Sequence, residues 1–144
     1  MELSSSCRAI ENLIAAYAEY VDGGDYASVG SLLADAVFVG SGAPLRGQAA
    51  IEAMYRDTII TYEDGTPRTK HVTTNVIIDV APDSDRAAAR SYFTVLQALP
   101  DLALQPIAAG RYHDQFEWGT RGWRFAERRV HVDLVGEVSR HLRT

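Results

Sequence analysis

KHVTTNVIIDV, Lys70 to Val80, is where the pattern of the chain changes from helical to extended. Val, Ile and Thr dominate it and alternate. Val72, Thr74, Val76, Ile78 and Val80 share one face, and His71, Thr73, Asn75 and Ile77 share the other. Pro82-Asp83-Ser84-Asp85 reads as the turn that follows. Three more long strands are predicted downstream, over Arg86–Leu99, Gln105–Trp118 and Trp123–Leu134, with Gly119 to Gly122 making the last hairpin.

Upstream of Lys70 the period is helical. Ile10, Leu13, Ile14, Tyr17, Ala18 and Val21 form one apolar stripe, with a serine among Ser4 to Ser6 as its cap and Gly23-Gly24 as its stop. Asp25 caps a short second helix carrying Val29, Leu32 and Leu33. Ala36 to Val39 reads as a strand, ended by Gly40-Ser41-Gly42. Gly47 opens a third helix with Ile51, Met54, Tyr55 and Ile59 inward, and Glu63 to Pro67 is a loop. Helices first and hairpin strands afterwards define an α+β fold. Three helices lie against one face of a curved antiparallel sheet, shaped as a cone with a cavity at its open end. Residues 1–144 read as one domain. The absence of strand–helix alternation and of GxGxxG argues against a dinucleotide fold.

Composition narrows the function. The net charge is −5, and Arg128, Arg129, Arg140 and Arg143 are interleaved with Glu127, Asp133 and Glu137, so no basic face for nucleic acid is predicted. No run reaches the ~20 apolar residues of a membrane helix. Met1 to Ser4 has no basic segment leading into an apolar one, so no signal peptide is read. Cys7 is the only cysteine, which excludes an internal disulfide; it reads as a partly buried small residue in a reducing cytoplasm. No HxH, HExxH or CxxC spacing suggests a metal, and no GxSxG suggests a serine nucleophile.

The chemistry-bearing candidates are few. Asp22 closes the first helix at the edge of the apolar stripe, where the helix dipole and apolar neighbours both oppose its ionisation. It is either a solvated helix end or a carboxylate with a hydrogen-bond donor beside it. His71 opens the first long strand on its more polar face. A carboxylate at Nδ1 would fix its tautomer and leave Nε2 free as a base; otherwise it is a histidine at a strand edge facing water. Tyr17 and Tyr55 fit either plain core or ligand contact. Tyr112 and Arg128 lie on long strands, and an inward Arg128 needs an anionic ligand or a partner such as Glu127 or Asp114. His113 is expected to face away from Tyr112 and His131 away from Arg128, while His141 falls in the tail.

The stretches Tyr17-Ala-Glu-Tyr-Val-Asp22-Gly-Gly-Asp25, His71-Val-Thr-Thr-Asn75 and Gly122-Trp-Arg-Phe-Ala-Glu-Arg128 resemble the SnoaL-like branch of the nuclear transport factor 2-like superfamily. The likeness is greatest to scytalone dehydratase and hexachlorocyclohexane dehydrochlorinase. It implies a cystatin-like α+β barrel in which the helix-ending Asp22 holds His71 as the base that removes a substrate proton. It further implies that Arg128 matches a pocket arginine of the dehydrochlorinase, and that Tyr17 stands where that enzyme has a lysine. The second histidine of scytalone dehydratase is missing from Phe93-Thr-Val-Leu-Gln97-Ala98, and its pocket Ser and Asn fall near Gly110 and Tyr112. The expected function is therefore a cofactor-independent lyase or isomerase acting on a small apolar or aromatic molecule. The alternatives are a polyketide cyclase-like enzyme and a non-catalytic binding module. Relatives form dimers or trimers, and the Val72, Val76, Ile78 face is compatible with sheet-to-sheet burial.

Overall fold

The computed structural model describes residues 2–82 and 84–143; Met1, Thr144 and the predicted turn residue Asp83 lie outside them. Three helices, α1 (Leu3–Asp22), α2 (Tyr26–Leu32) and α3 (Gln48–Thr58), pack against a six-stranded sheet. The strands are β1 (Val37–Val39), β2 (Leu45–Arg46), β3 (Thr69–Val80), β4 (Arg86–Leu99), β5 (Leu102–Gly119) and β6 (Gly122–Val135). β3 to β6 form the predicted antiparallel meander.

Several details differ from the sequence reading. The sheet is mixed, because β1 runs parallel to β6, and it is open, in the order β2-β1-β6-β5-β4-β3, so the barrel does not close. The two-residue β2 carries too little pattern to be read from sequence. Ser4 to Ser6 lie inside α1, whose N-cap is Glu2, so no serine caps it. The stop behaves as predicted, with Gly23 at the C-cap and Gly24 left-handed at φ 70°. Asp25 caps α2, accepting from the Ser28 N–H at 3.1 Å. In β3 the register shifts between Thr74 and Ile77, where Asn75 adopts φ 55°. Asn is one of the few residues that tolerate this conformation. The shift breaks the predicted single face: Val72 remains exposed, while Ile78 and Val80 turn to pack on the core.

The core lies between helices and sheet. Ile10, Ile14, Tyr17 and Val21 of α1 meet Ile51 and Tyr55 of α3 and Phe93, Tyr112, Phe116 and Phe125 of the sheet. Each large aliphatic or aromatic side chain so buried contributes roughly 1.5–3 kcal/mol. Cys7 is half-buried and free. No helix among the described residues is long and apolar enough to cross a membrane.

Candidate active site

The end of α1 is set against the start of β3 by a close backbone approach. A Cβ at Gly24 would overlap the Gly65 carbonyl oxygen, so this crossing requires glycine in both space and φ. It brings Asp22 opposite the first residues of β3. Thr69 and His71 are two apart and point to the same side, and both reach the carboxylate. Asp22 Oδ1 lies 2.6 Å from His71 Nδ1 and accepts from the Thr69 hydroxyl at 2.8 Å. Its Oδ2 accepts from the His71 backbone N–H at 2.7 Å. The two side chains are each 9% exposed.

Burial pushes the Asp22 carboxyl up, but the hydrogen bonds and charge of His71 and the Thr69 hydroxyl outweigh it, and the net shift is downward. Asp22 is thus held as a carboxylate despite its place at a helix C-terminus. With Nδ1 against Oδ1, the tautomer this contact selects for a neutral imidazole is the one with its proton on Nδ1 and Nε2 as the acceptor. Thr69 is missing from the sequence reading; its position two before His71 on one strand face is the signal that finds it.

Tyr17, Tyr55, Tyr112 and Arg128 also come together, in the packed centre of the molecule. The Tyr17 and Tyr55 hydroxyls hydrogen-bond to each other. The Arg128 guanidinium lies 3.6 Å from the Tyr112 ring centre and 4.2 Å from that of Tyr17. Its Nε and Nη2 donate to Asp114 Oδ1 and Oδ2 at 2.9 and 3.2 Å, with both side chains 0% exposed. Of the partners considered for Arg128, Asp114 is the one it uses. The pairing is a buried ion pair rather than one at the sheet edge, since Glu127 bonds Arg129 instead. Burial pushes the Asp114 carboxyl up against the pull of Arg128, yet the fork uses both oxygens as acceptors, so we assign an ion pair. Burial likewise raises all three phenols, Tyr55 and Tyr112 well above the usual value, which keeps them neutral.

His113 and His131 face away from this centre as expected, their rings 5.4 Å apart edge to face. His141 does not behave as a tail residue. It is 7% exposed, and the charges of His71 and Asp22 both act on it. Among the described residues no cluster of three or more His, Cys, Asp or Glu could hold a metal. Two shallow surface depressions lie away from the dyad. One lies along Ser4, Ser5, Arg8, Ala9 and Asn12; the other lies around Asp79, Arg90 and His113.

The chain belongs to the SnoaL-like domain family, whose model matches residues 3–129. No curated protein sequence matches it significantly. It is similar in structure to a nuclear transport factor 2-like protein with a cystatin-like fold from Novosphingobium aromaticivorans. That protein is 22% identical, with a TM-score of 0.75 over 90% of this chain and 83% of that one. A scytalone dehydratase-like protein of the same organism is 18% identical, with a TM-score of 0.68 over 89% and 84% of the two chains. A third, described as a beta subunit of an aromatic-ring-hydroxylating dioxygenase from that organism, is 18% identical, with a TM-score of 0.71 over 93% and 94%. At these identities the likeness is one of fold.

Proposed function

We propose that this chain is a cofactor-independent lyase or isomerase of the dehydratase or dehydrohalogenase type. His71, oriented by Asp22, removes a proton from a carbon beside an electron-withdrawing group. Loss of water or halide, or reprotonation elsewhere, completes the reaction. The observation that carries the reading is the 2.6 Å Asp22–His71 contact, with every carboxylate oxygen already tied to β3. An imidazole so held acts without first paying for its own orientation, and the carboxylate stabilises the imidazolium that forms. Proton transfer by a positioned base contributes about 10²–10⁴-fold. A polyketide cyclase-like reaction would use the same pair and differ only in substrate.

The test is a panel of small β-hydroxy and β-halo ketones followed by NMR in D₂O. The wild type is expected to exchange the proton next to the carbonyl, or to release water or halide, with at least one of them. His71→Gln should lose that activity while remaining folded. Wild-type rates in His71→Gln would refute the base.

The packed centre favours a second reading, a non-catalytic small-molecule-binding module. Tyr17, Tyr55, Tyr112 and Arg128 fill the interior of the cone with one another. Binding of a panel member without exchange or elimination would select it. We further propose a cytoplasmic homo-oligomer, a dimer or trimer, built through the exposed Val72 and Tyr92 on the outer sheet face. Val72→Lys with Tyr92→Lys should then lower the mass measured by light scattering.

A further inference from the structure

Strand β6 outruns its neighbour β1. The two pair from Val37 opposite Glu127 to Val39 opposite Arg129, while β6 continues to Val135. Among the described residues, no strand or turn bonds the backbone of Val130–Val135 on the side away from β5. Alternate residues of a strand aim their N–H and C=O to that side, so about 20 Å of sheet edge is open. The side chains along it are apolar yet wet: Val132, Leu134 and Val135 are 54%, 69% and 66% exposed.

An open apolar edge is a template for another strand, and native chains commonly blunt it with lysine, proline or a covering element. Val130–Val135 contains no lysine and no proline. It carries His131 and Asp133 instead, both on the outer sheet face. The His131 ring lies 5.4 Å from that of His113. Asp133, which has no partner on β5 because the register shifts there, accepts from Arg111 at 3.1 Å. An imidazole N–H donates, and a carboxylate has acceptor sites to spare beyond one arginine. The stretch is therefore complementary to itself. Turned end for end about Val132, it sets His131 against Asp133, Val130 against Leu134, and Val132 against its own copy. Both His–Asp contacts form together, which is the signature of an isologous contact that closes after two copies.

We infer that β6 pairs edge to edge with β6 of a second copy of this chain, antiparallel, about a twofold axis at Val132. The contact joins two six-stranded sheets into one and shields Val132, Leu134 and Val135 from water. It needs neither the dyad nor the outer-face contact through Val72 and Tyr92, which lies on β3 and β4.

Register is tested by cross-linking the full chain in a Cys7→Ser background. With the axis at Val132, the two copies of that residue have Cα atoms about 4.5–5.5 Å apart, within disulfide range. The two copies of Leu134 are about 14 Å apart along the strands. Val132→Cys should therefore oxidise to a linked dimer at least about tenfold faster than Leu134→Cys. His131→Asp sets carboxylates against each other at two symmetry-related places, and should weaken the dimer about tenfold in sedimentation equilibrium. His131→Asn, which keeps a donor, and His113→Asp, one strand inward, should leave it near wild type. The dimer should also survive Val72→Lys with Tyr92→Lys, which separates it from the outer-face contact. In the wild type, amide exchange at Val130–Val135 should slow as protein concentration rises. Exchange there that is independent of concentration, a measurement that needs no variant to fold, would overturn the inference. So would equal cross-linking of Val132→Cys and Leu134→Cys.

Discussion

Acidifying the protein from pH 7.5 to 5 should destabilise it through His141. Its folded value is about 4, against an ordinary value of 6.5, because burial and His71 oppose the charge. A histidine depressed in the folded state binds fewer protons there than in the unfolded chain. Its stabilising contribution is complete above the unfolded value, falls as pH drops below 6.5, and is gone below about 4. At pH 5 the unfolded imidazole is nearly all protonated and the folded one about a tenth so, a ratio near thirty, or about 2 kcal/mol. Urea unfolding at the two pH values measures it. With a slope of about 2 kcal/mol per molar, the midpoint should fall about 1 M further in wild type than in His141→Gln. The variant serves as the reference because the other histidines and all carboxylates are common to both proteins. Equal acid sensitivity in the two would show that His141 is not held neutral.

Asp22→Asn removes the charge that accepts three hydrogen bonds, and should cost about 1–3 kcal/mol in urea unfolding near neutral pH. Because the Asp22 value is lowered, this deficit should persist at any pH above the ordinary carboxylate value and shrink as acid protonates the wild-type carboxyl. Asp114→Asn strands the buried Arg128 charge, and a loss of roughly 3–5 kcal/mol is expected in thermal or urea melts, partly recovered by Asp114→Leu with Arg128→Met. Gly24→Ala meets both the Gly65 carbonyl and a left-handed φ of 70°, and should destabilise by more than the roughly 1 kcal/mol of an ordinary helix-end change. Gly110→Ala drives a Cβ into the His131 carbonyl and the Phe93 ring, and a loss of about 1–3 kcal/mol is expected by the same melts.

The long strands and the helices were legible because each has one dominant period over ten or more residues. The bulge in β3 was not. Its only mark is Asn75, and an asparagine among β-branched residues does not announce a positive φ, so Ile78 and Val80 were assigned to the wrong side. β2, with Leu45 and Arg46 alone, has no period at all. The Asp22–His71 pairing needed the family resemblance, since 49 residues separate the two and nothing local relates them. Thr69 was recoverable from strand alternation. His141 was not, because its burial depends on backbone bonds to Ile60 and on the Arg140 carbonyl reaching Gln97, contacts made by main chain that no side-chain pattern encodes.

Stability and the proposed chemistry rest on different residues of this chain. The centre is held by Arg128, Asp114 and the tyrosine rings, fully buried and satisfied chiefly by one another. The dyad stands at the helix–strand junction on Thr69, the His71 backbone and the Gly24–Gly65 crossing. Unpaired buried polar atoms occur in both regions: Gln97 Oε1 and His141 Nδ1 near the junction, and Arg128 Nη1, Ser91 Oγ and Trp123 Nε1 in the core. Thr69→Val tests the separation. It removes one hydrogen bond to Asp22 while keeping the shape of a buried side chain, so a cost near 1 kcal/mol is expected. The Asp22 carboxyl should rise in the variant, since one of the bonds that lowers it is gone. Carboxyl ¹³C shifts followed through an acid titration would show that rise. An unchanged Asp22 titration, or a loss as large as that of Asp114→Asn, would mean that the junction is part of the stabilising core after all.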